Sequence, residues 1–133
     1  MDSLLLSIDT TGRTVTHLTD DVRRFCRDHG DGLVNVFAPH ATAGVALMEV
    51  GSGSEADLEI VLARLLPRQD GYVHRHGAVG HGADHVLPVF VSPSLTVPVL
   101  EGRPLLGTWQ SVVLVDTNAD NPRRQVRLSF VDA

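Results

Sequence analysis

The sequence has a single cysteine, Cys26, among its 133 residues. An intrachain disulfide and a site of several thiolates are therefore excluded, so a transition metal would have to rely on imidazole and carboxylate ligands. No stretch approaches the roughly 20 apolar residues that a membrane-spanning helix needs. The N-terminus begins with an acidic residue where a secretion signal has basic ones. We therefore expect a cytoplasmic protein without membrane association.

Basic side chains are also scarce, with 11 against 16 acidic ones and a formal net charge of −5. This balance disfavours extended contact with the phosphate backbone of nucleic acid, and we expect no such partner. Three of the basic residues, Arg123, Arg124 and Arg127, cluster near the C-terminus. They either hold a small anion there or only solvate a strand.

The length and the 43% apolar content are those of one domain over residues 1–133. Residues 4–9 and 13–18 flank a turn sequence and predict an N-terminal hairpin. Runs at 94–100, 105–116 and 123–131 predict a C-terminal meander of three strands.

Helical patterns lie between these strands. Thr19 is a predicted N-cap of a first helix that Gly30 ends. Ser54 and Asp57 resemble the capping box of a second helix, which Pro67 ends. Two to three helices between strands at both ends lack the regular alternation of a doubly wound fold. The predicted class is α+β with a mixed, mostly antiparallel sheet.

Seven histidines direct attention to metal or proton chemistry. Four of them lie in or beside residues 68–84, a segment without periodicity that is long for a connection. His74 and His76 would face the same way on an extended segment, and His81 and His85 would share a helical face. The spacing allows a metal site. It does not specify one, because highly specific zinc motifs follow stricter spacing rules, such as two histidines and a glutamate on one helix.

Five segments match in order the signature of a known family. They are PHATAGVALMEV, YVH, GADHV, TVPVLEGRPLLGTWQSVVLVD and RRQVRLSFV. In this combination the chain resembles the YjbQ family, catalogued as secondary thiamine-phosphate synthases, from about Gly32 to Val131. The joint occurrence of HxTAG, YxH and GTWQ is specific, whereas no single piece would be.

The resemblance implies an α+β subunit of a homotrimer, with a metal held by three histidines near a subunit boundary. Carried over by motif, the ligands are His40 of HATAG, His74 of YVH and His85 of ADH. Three neutral imidazoles occupy three corners of a zinc tetrahedron and leave the fourth for water or substrate. The expected cofactor is therefore a divalent metal, with zinc as the expected ion.

The resemblance also implies the residues around this metal. Glu49 would act as a general acid or base and Gln110 as a hydrogen-bond donor to substrate. Asp57, Thr108 and Trp109 are the implied substrate-binding residues. Thr42 is a further predicted substrate contact, and Arg124 or its neighbour Arg123 is predicted to attract a phosphate from the rim of the site. Structural alternatives remain open for some of them: an ion pair for Glu49, a turn cap for Thr42, and a core position for Trp109.

Two features depart from the family pattern. His81 stands where relatives usually carry a small polar residue, and it could be a fourth ligand, a proton shuttle or a loop residue; the role of His76 is equally open. Pro88, four residues after Asp84, would clash with a carbonyl of a continuous helix. The helix that carries His85 is therefore predicted to be short or kinked.

The expected function is that of a metal-dependent enzyme acting on a small phosphorylated metabolite. The family name suggests a thiamine-phosphate synthase-like transferase. However, reactions that release diphosphate normally use magnesium with a glycine-rich or helix-N-terminal cradle, and a three-histidine site suits zinc and activated water better. A metal-dependent hydrolase is therefore also possible. The alternatives are a non-catalytic trimeric metal- or metabolite-binding protein and a protein whose histidines bind no metal.

Overall fold

The computed structural model describes residues 1–69 and 71–133. Within them, five strands form one sheet in the order β1-β8-β3-β5-β6, and three form a second in the order β2-β7-β4. All of the described strand pairs are antiparallel. The elements are β1 (Asp2–Asp9), β2 (Val15–His17), α1 (Thr19–Cys26), β3 (Gly32–Phe37), β4 (Ala43–Met48), α2 (Ser54–Leu65), α3 (His81–Phe90), β5 (Ser94–Leu100), β6 (Arg103–Pro104), β7 (Ser111–Asp116) and β8 (Arg123–Asp132). The predicted α+β class is confirmed.

The main core lies between the two sheets, with α1 at its edge. On β8, alternate residues enter this core: Val126, Leu128 and Phe130 are buried, whereas Gln125 and Arg127 are exposed. Such alternation is expected of a strand that is covered on one face only. Val22 and Cys26 of α1 contribute to the same core.

Strand β7 is covered on both faces. Val112 and Leu114 belong to the core between the sheets, whereas Val113 and Val115 belong to a second core that α2 and α3 form on the opposite side. Burial on two faces explains why the strand reads as an uninterrupted apolar run. The chain therefore stacks in three layers: the larger sheet, the smaller sheet, and the pair α2 and α3.

The predicted hairpin and meander are wrong. β1 pairs with β8 in the larger sheet, and β2 pairs with β7 in the smaller one. The connection between β1 and β2 is held by a distant residue, because the N–H of Thr10 donates to the carbonyl of Pro122 at 2.9 Å. β7 likewise lies in a different sheet from β5 and β8. Turn residues indicate where strands end, but nonlocal burial decides which strands pair.

The predicted helix caps also differ from the structure. The hydroxyl oxygen of Thr19 accepts a hydrogen bond from the N–H of Val112 at 2.9 Å, and no side chain caps α1. At the start of α2, Gly53 takes the N-cap position, and the carboxylate of Glu55 accepts the N–H of Gly51 at 2.7 Å. None of the described helices combines the length and the apolar composition that crossing a bilayer requires.

Candidate metal centre

The segment between α2 and α3 brings four histidine rings together. His74, His81 and His85 each offer a ring nitrogen, and these three atoms lie within 4.8 Å of one another. The Nε2 atoms of His81 and His85 are 2.9 Å apart, as expected of residues that share one helical face. The ring centre of His76 lies 4.0 Å from that of His74. The cluster thus comes from one loop and one helix.

The nitrogen separations, from 2.9 Å between His81 and His85 to at most 4.8 Å in the group, bracket the spacing expected around a tetrahedral metal. Two ligand nitrogens around zinc, each at 2.0–2.1 Å, are about 3.3 Å apart. The His81–His85 separation of 2.9 Å is slightly shorter than this and corresponds to one proton shared between the two rings. Metal binding would replace that proton, as it does whenever ligands must be deprotonated. An imidazole-only donor set suits zinc.

Two of the clustered histidines, His74 and His85, have lowered pKa values. Desolvation, followed by the charges of the neighbouring histidines, lowers the pKa of His74. Desolvation and the charges of His81 and His76 likewise lower the pKa of His85, against a smaller opposing effect of Asp84. A lowered pKa keeps the imidazole neutral at pH 7, which is the form that binds metal.

Glycines allow the loop to approach α3 closely. Gly77 and Gly80 have φ values of 83° and 88°, a region that strongly favours glycine. A Cβ atom on Gly82 would lie 2.6 Å from the Cβ of Tyr72 and 2.8 Å from the carbonyl oxygen of His74. Any side chain at this position would therefore push the segment that carries His74 away from α3.

An ion pair between the buried Asp84 and the half-buried Arg68 fixes the start of α3. Asp84, which precedes His85, accepts hydrogen bonds from Arg68 at 2.7 and 3.1 Å and from the Thr117 hydroxyl at 2.6 Å. Arg68 also donates to the carbonyl of Val79 at 3.3 Å, and this bond holds the loop. The helix has ten residues and ends two residues after Pro88, in agreement with the predicted short helix.

His40, predicted as a ligand, is not part of the described cluster. Its Nε2 lies 2.9 Å from the amide nitrogen and 3.2 Å from the carbonyl oxygen of Gln125. Desolvation and the charge of Arg124 lower the pKa of His40. Ligation through Nδ1 requires the tautomer whose Nε2–H donates to the carbonyl of Gln125. The metal role of His40 stays a prediction. Within the described chain, the residue that lies with His74 and His85 is His81.

Thr42 and Arg124, both predicted substrate contacts, meet in a buried network. The Arg124 guanidinium donates to the two carboxylate oxygens of Asp116 at 2.6 and 3.1 Å and to the Thr42 hydroxyl at 2.7 Å. Arg124 is 4% exposed. It therefore lies inside the protein rather than at a rim where it would meet a phosphate. Its neighbour Arg123 is exposed.

The GTWQ segment forms a turn before β7. The Gln110 side-chain oxygen accepts the N–H of Gly107 at 2.8 Å, so the amide group folds back on its own turn. Trp109 is 73% exposed, which excludes the core position considered from the sequence. Thr108 and Gln110 line a cleft with His17, separate from the cleft that the histidine cluster lines.

Among acidic residues, Asp120 contacts the cluster. Its Oδ2 lies 3.1 Å from Nδ1 of His81. The predicted Glu49, after β4, and Asp57, in the first turn of α2, are exposed and are not in the described histidine group. Their roles stay predictions.

Sequence reasoning missed Asp120, since nothing in the spacing connects it with the histidines. The four-residue separation from His85 was the available signal for His81.

His74, His76 and His81 line a cleft of about 410 Å³. Apart from them, the charged residues among its described lining are Arg68 and Arg75. Arg68 is paired with Asp84, whereas Arg75 is exposed and uses its Nε to donate to the carbonyl of Tyr72 at 2.9 Å. The described rim of the cleft therefore carries positive charge.

Comparison with known proteins gives consistent matches over nearly the whole chain. The family model described as "UPF0047 protein YjbQ-like" matches residues 5–133. A UPF0047 protein of Mycobacterium tuberculosis is 65% identical over 132 residues, covering 99% of each chain. One of Archaeoglobus fulgidus is 32% identical and covers 91% of this chain and 95% of its own. The crystal structure of a hypothetical protein of Aeropyrum pernix covers 100% of both chains, with a TM-score of 0.91 and 26% identity.

Proposed function

Because this chain belongs to the YjbQ-like UPF0047 family, we propose that it is a metal-dependent enzyme whose centre is formed by His74, His81 and His85. The observation that carries the proposal is the convergence of three ring nitrogens within 4.8 Å. The expected metal is zinc, for which three ligands leave one position open to water or substrate. At such a position, zinc lowers the pKa of bound water to about 7 and supplies a nucleophile.

The substrate that fits the cleft is a small phosphorylated metabolite. Arg75 lies on the cleft with the histidines, and its guanidinium retains donors beyond the one bonded to Tyr72. A guanidinium binds phosphate oxygens through paired donors. The chain contains no lysine, so arginine is its permanently charged side chain for phosphate binding, and Schiff-base chemistry through a lysine side chain is excluded.

Of the reactions open to such a site, metal-assisted hydrolysis fits better than the transfer reaction that the YjbQ resemblance suggests. An imidazole-only donor set favours zinc and an activated water, whereas diphosphate release usually depends on magnesium and carboxylates. Glu49 and Gln110 remain the proposed acid–base and hydrogen-bonding residues. Replacement of Glu49 by Gln is expected to retain metal and lose activity.

We further propose a homotrimer, in which a neighbouring subunit would add residues to the centre. One face of the larger sheet exposes Leu33, Phe37 and Val131. An apolar sheet face of this kind is typical of an interaction surface. Light scattering at micromolar concentration should give three times the monomer mass of 14.3 kDa, and a monomer mass would contradict the trimer.

A second candidate is a binding protein without turnover, and His76 favours it. Its ring lies 4.0 Å from that of His74 and 4.8 Å from that of His81. A fourth imidazole would close the tetrahedron, as in structural zinc sites, and leave no position for substrate. Turnover by zinc-loaded protein, retained when His76 is replaced by Ala, would exclude this candidate.

The decisive experiment is elemental analysis of protein purified without chelators. We expect about one zinc per subunit, lost when His74, His81 or His85 is replaced by Ala. His17→Ala is the matched control, since His17 is exposed and lies outside the cluster. Metal retained in all three variants would contradict the centre. Loaded protein is then assayed with phosphorylated metabolites, with phosphate release indicating hydrolysis and diphosphate release indicating transfer.

A further inference from the structure

We propose that Asp120 is the positioning residue of this centre, holding His81 through Nδ1 so that its Nε2 faces His74 and His85. The inference rests on the proposed metal site. The His81 ring lies between two partners: Asp120 Oδ2 is 3.1 Å from Nδ1, and His85 Nε2 is 2.9 Å from Nε2. The carboxylate and the candidate metal position are thus on opposite edges of one imidazole.

Nδ1 of His81 is buried and has no well-directed hydrogen bond to any described residue. The Asp120 carboxylate is within bonding distance of this nitrogen, although the N–H does not point at it in line. Buried polar atoms are normally paired, so this nitrogen and the carboxylate beside it are expected to bond when the ring takes its ligating orientation.

Backbone contacts fix Asp120 in its place. Oδ2 accepts the N–H of Ala78 at 3.2 Å, which joins the residue to the histidine loop. A Cβ on Gly77 would lie 2.9 Å from Oδ2 of Asp120 and 2.8 Å from Cγ of His81. Only glycine therefore lets the carboxylate, the loop and the His81 ring approach one another.

On its other side, Asp120 is anchored to the buried network of Arg124. Its N–H donates to the Asn118 side-chain oxygen at 3.0 Å. The N–H of Asn118 donates to Asp116 at 2.9 Å, and its side-chain amide donates to the Thr42 hydroxyl at 3.2 Å. The loop between β7 and β8 thus connects a rigid, buried ion pair with a histidine of the candidate centre.

A carboxylate in this position has a known effect on metal sites. A ligating histidine usually donates its second ring N–H to a carboxylate or carbonyl, which fixes the tautomer and the ring orientation. Replacing such a partner typically weakens metal affinity about 10- to 100-fold. Asp120 would have this effect without touching metal or substrate.

The test is the zinc affinity of the full chain, measured by competition with a chromophoric chelator. We expect Asp120→Asn to bind zinc about 10- to 100-fold more weakly than wild type. Asp28→Asn removes the same negative charge at an exposed position and should leave the zinc affinity unchanged. Asp120→Asn within about twofold of wild type would overturn the inference. A wild type without zinc binding would instead overturn the centre itself and, with it, this role.

A second measurement needs no variant. Nitrogen NMR of the zinc-loaded wild type distinguishes ligation through Nε2 from ligation through Nδ1. We expect zinc on Nε2 of His81 and the proton on Nδ1, facing Asp120. Zinc on Nδ1, which leaves no proton there for Asp120, would overturn the inference even if Asp120→Asn failed to fold.

Discussion

Two clusters of polar residues lie on either side of the loop between β7 and β8. They differ in whether their polar atoms have hydrogen-bond partners within the chain. In the first, Arg124 is bonded to Asp116 and Thr42, and every member is buried. In the second, the nitrogens of His81 and His85 face each other beside an open cleft. Groups satisfied within the chain stabilise it, whereas groups held close with few protein partners are prepared for a ligand.

Residues predicted for one site therefore fall into two different groups in the structure. Thr42 and Arg124 entered the predicted site with His74 and His85, yet they belong to the satisfied group. Their replacement should therefore affect folding, whereas replacement of the histidines should affect metal binding.

The largest effect on stability is expected from Arg124→Ala. It leaves the Asp116 carboxylate buried without its cation, and breaking such a pair typically costs about 3–5 kcal/mol in the free energy of unfolding. Urea denaturation measures this loss. Arg123→Ala, next to it and exposed, is the control and should change stability by under about 0.5 kcal/mol. A loss below about 1 kcal/mol in Arg124→Ala would show that the pair is not structurally required.

The second prediction concerns pH, which acts on the histidine group. The lowered pKa values of His74 and His85 mean that protons compete with zinc only at a lower pH than they would for free imidazole. Zinc affinity should therefore change little from pH 8 to about 6.5 and fall below that, by at most about tenfold per ligand for each unit. Titrations at several pH values check this. An affinity that does not depend on pH would indicate ligands other than histidine.

The metal-free protein should show the matching trend in stability. Below pH about 6.5 the unfolded chain takes up protons that folded His40, His74 and His85 resist, because their pKa values are lowered in the fold. The free energy of unfolding should therefore decrease as pH falls through this range. Thermal melting at pH 7.5 and pH 5.5 measures the decrease, and a higher melting temperature at pH 5.5 would contradict the sign.

Local patterns in the sequence were sufficient to predict the fold class but not to predict which strands pair. The alternation along β8 and the apolar run of β7 follow from burial on one or two faces, which the sequence records directly. The partner of β1 is β8, more than 100 residues away, and no turn residue specifies it. Helix caps were mispredicted because Thr19 bonds to a distant strand in preference to its own helix.

The same limit applies to the candidate site. The four-residue spacing of His81 and His85 was readable because both lie on α3. Asp120 and Arg124 could not be assigned, since their contacts depend on the loop after β7 and on how deeply it is buried. A motif identifies residues that recur together, whereas burial and pairing decide which of them are structural.

The smallest expected effect comes from Thr16 in β2, whose hydroxyl is the other buried side-chain atom without a hydrogen bond to any described residue. Thr16 pairs with Leu114 in the register of β2 and β7 and is not part of the described histidine group. Thr16→Val removes the unpaired hydroxyl at nearly constant shape and should stabilise the fold by up to about 1 kcal/mol. Thr16→Ser keeps the hydroxyl, loses a methyl group and should destabilise it by about 1 kcal/mol. Zinc affinity should be unchanged in both. If Thr16→Val destabilises the fold, a water molecule satisfies the Thr16 hydroxyl. The missing hydrogen bond of His81 Nδ1 would then not by itself indicate a group prepared for a ligand.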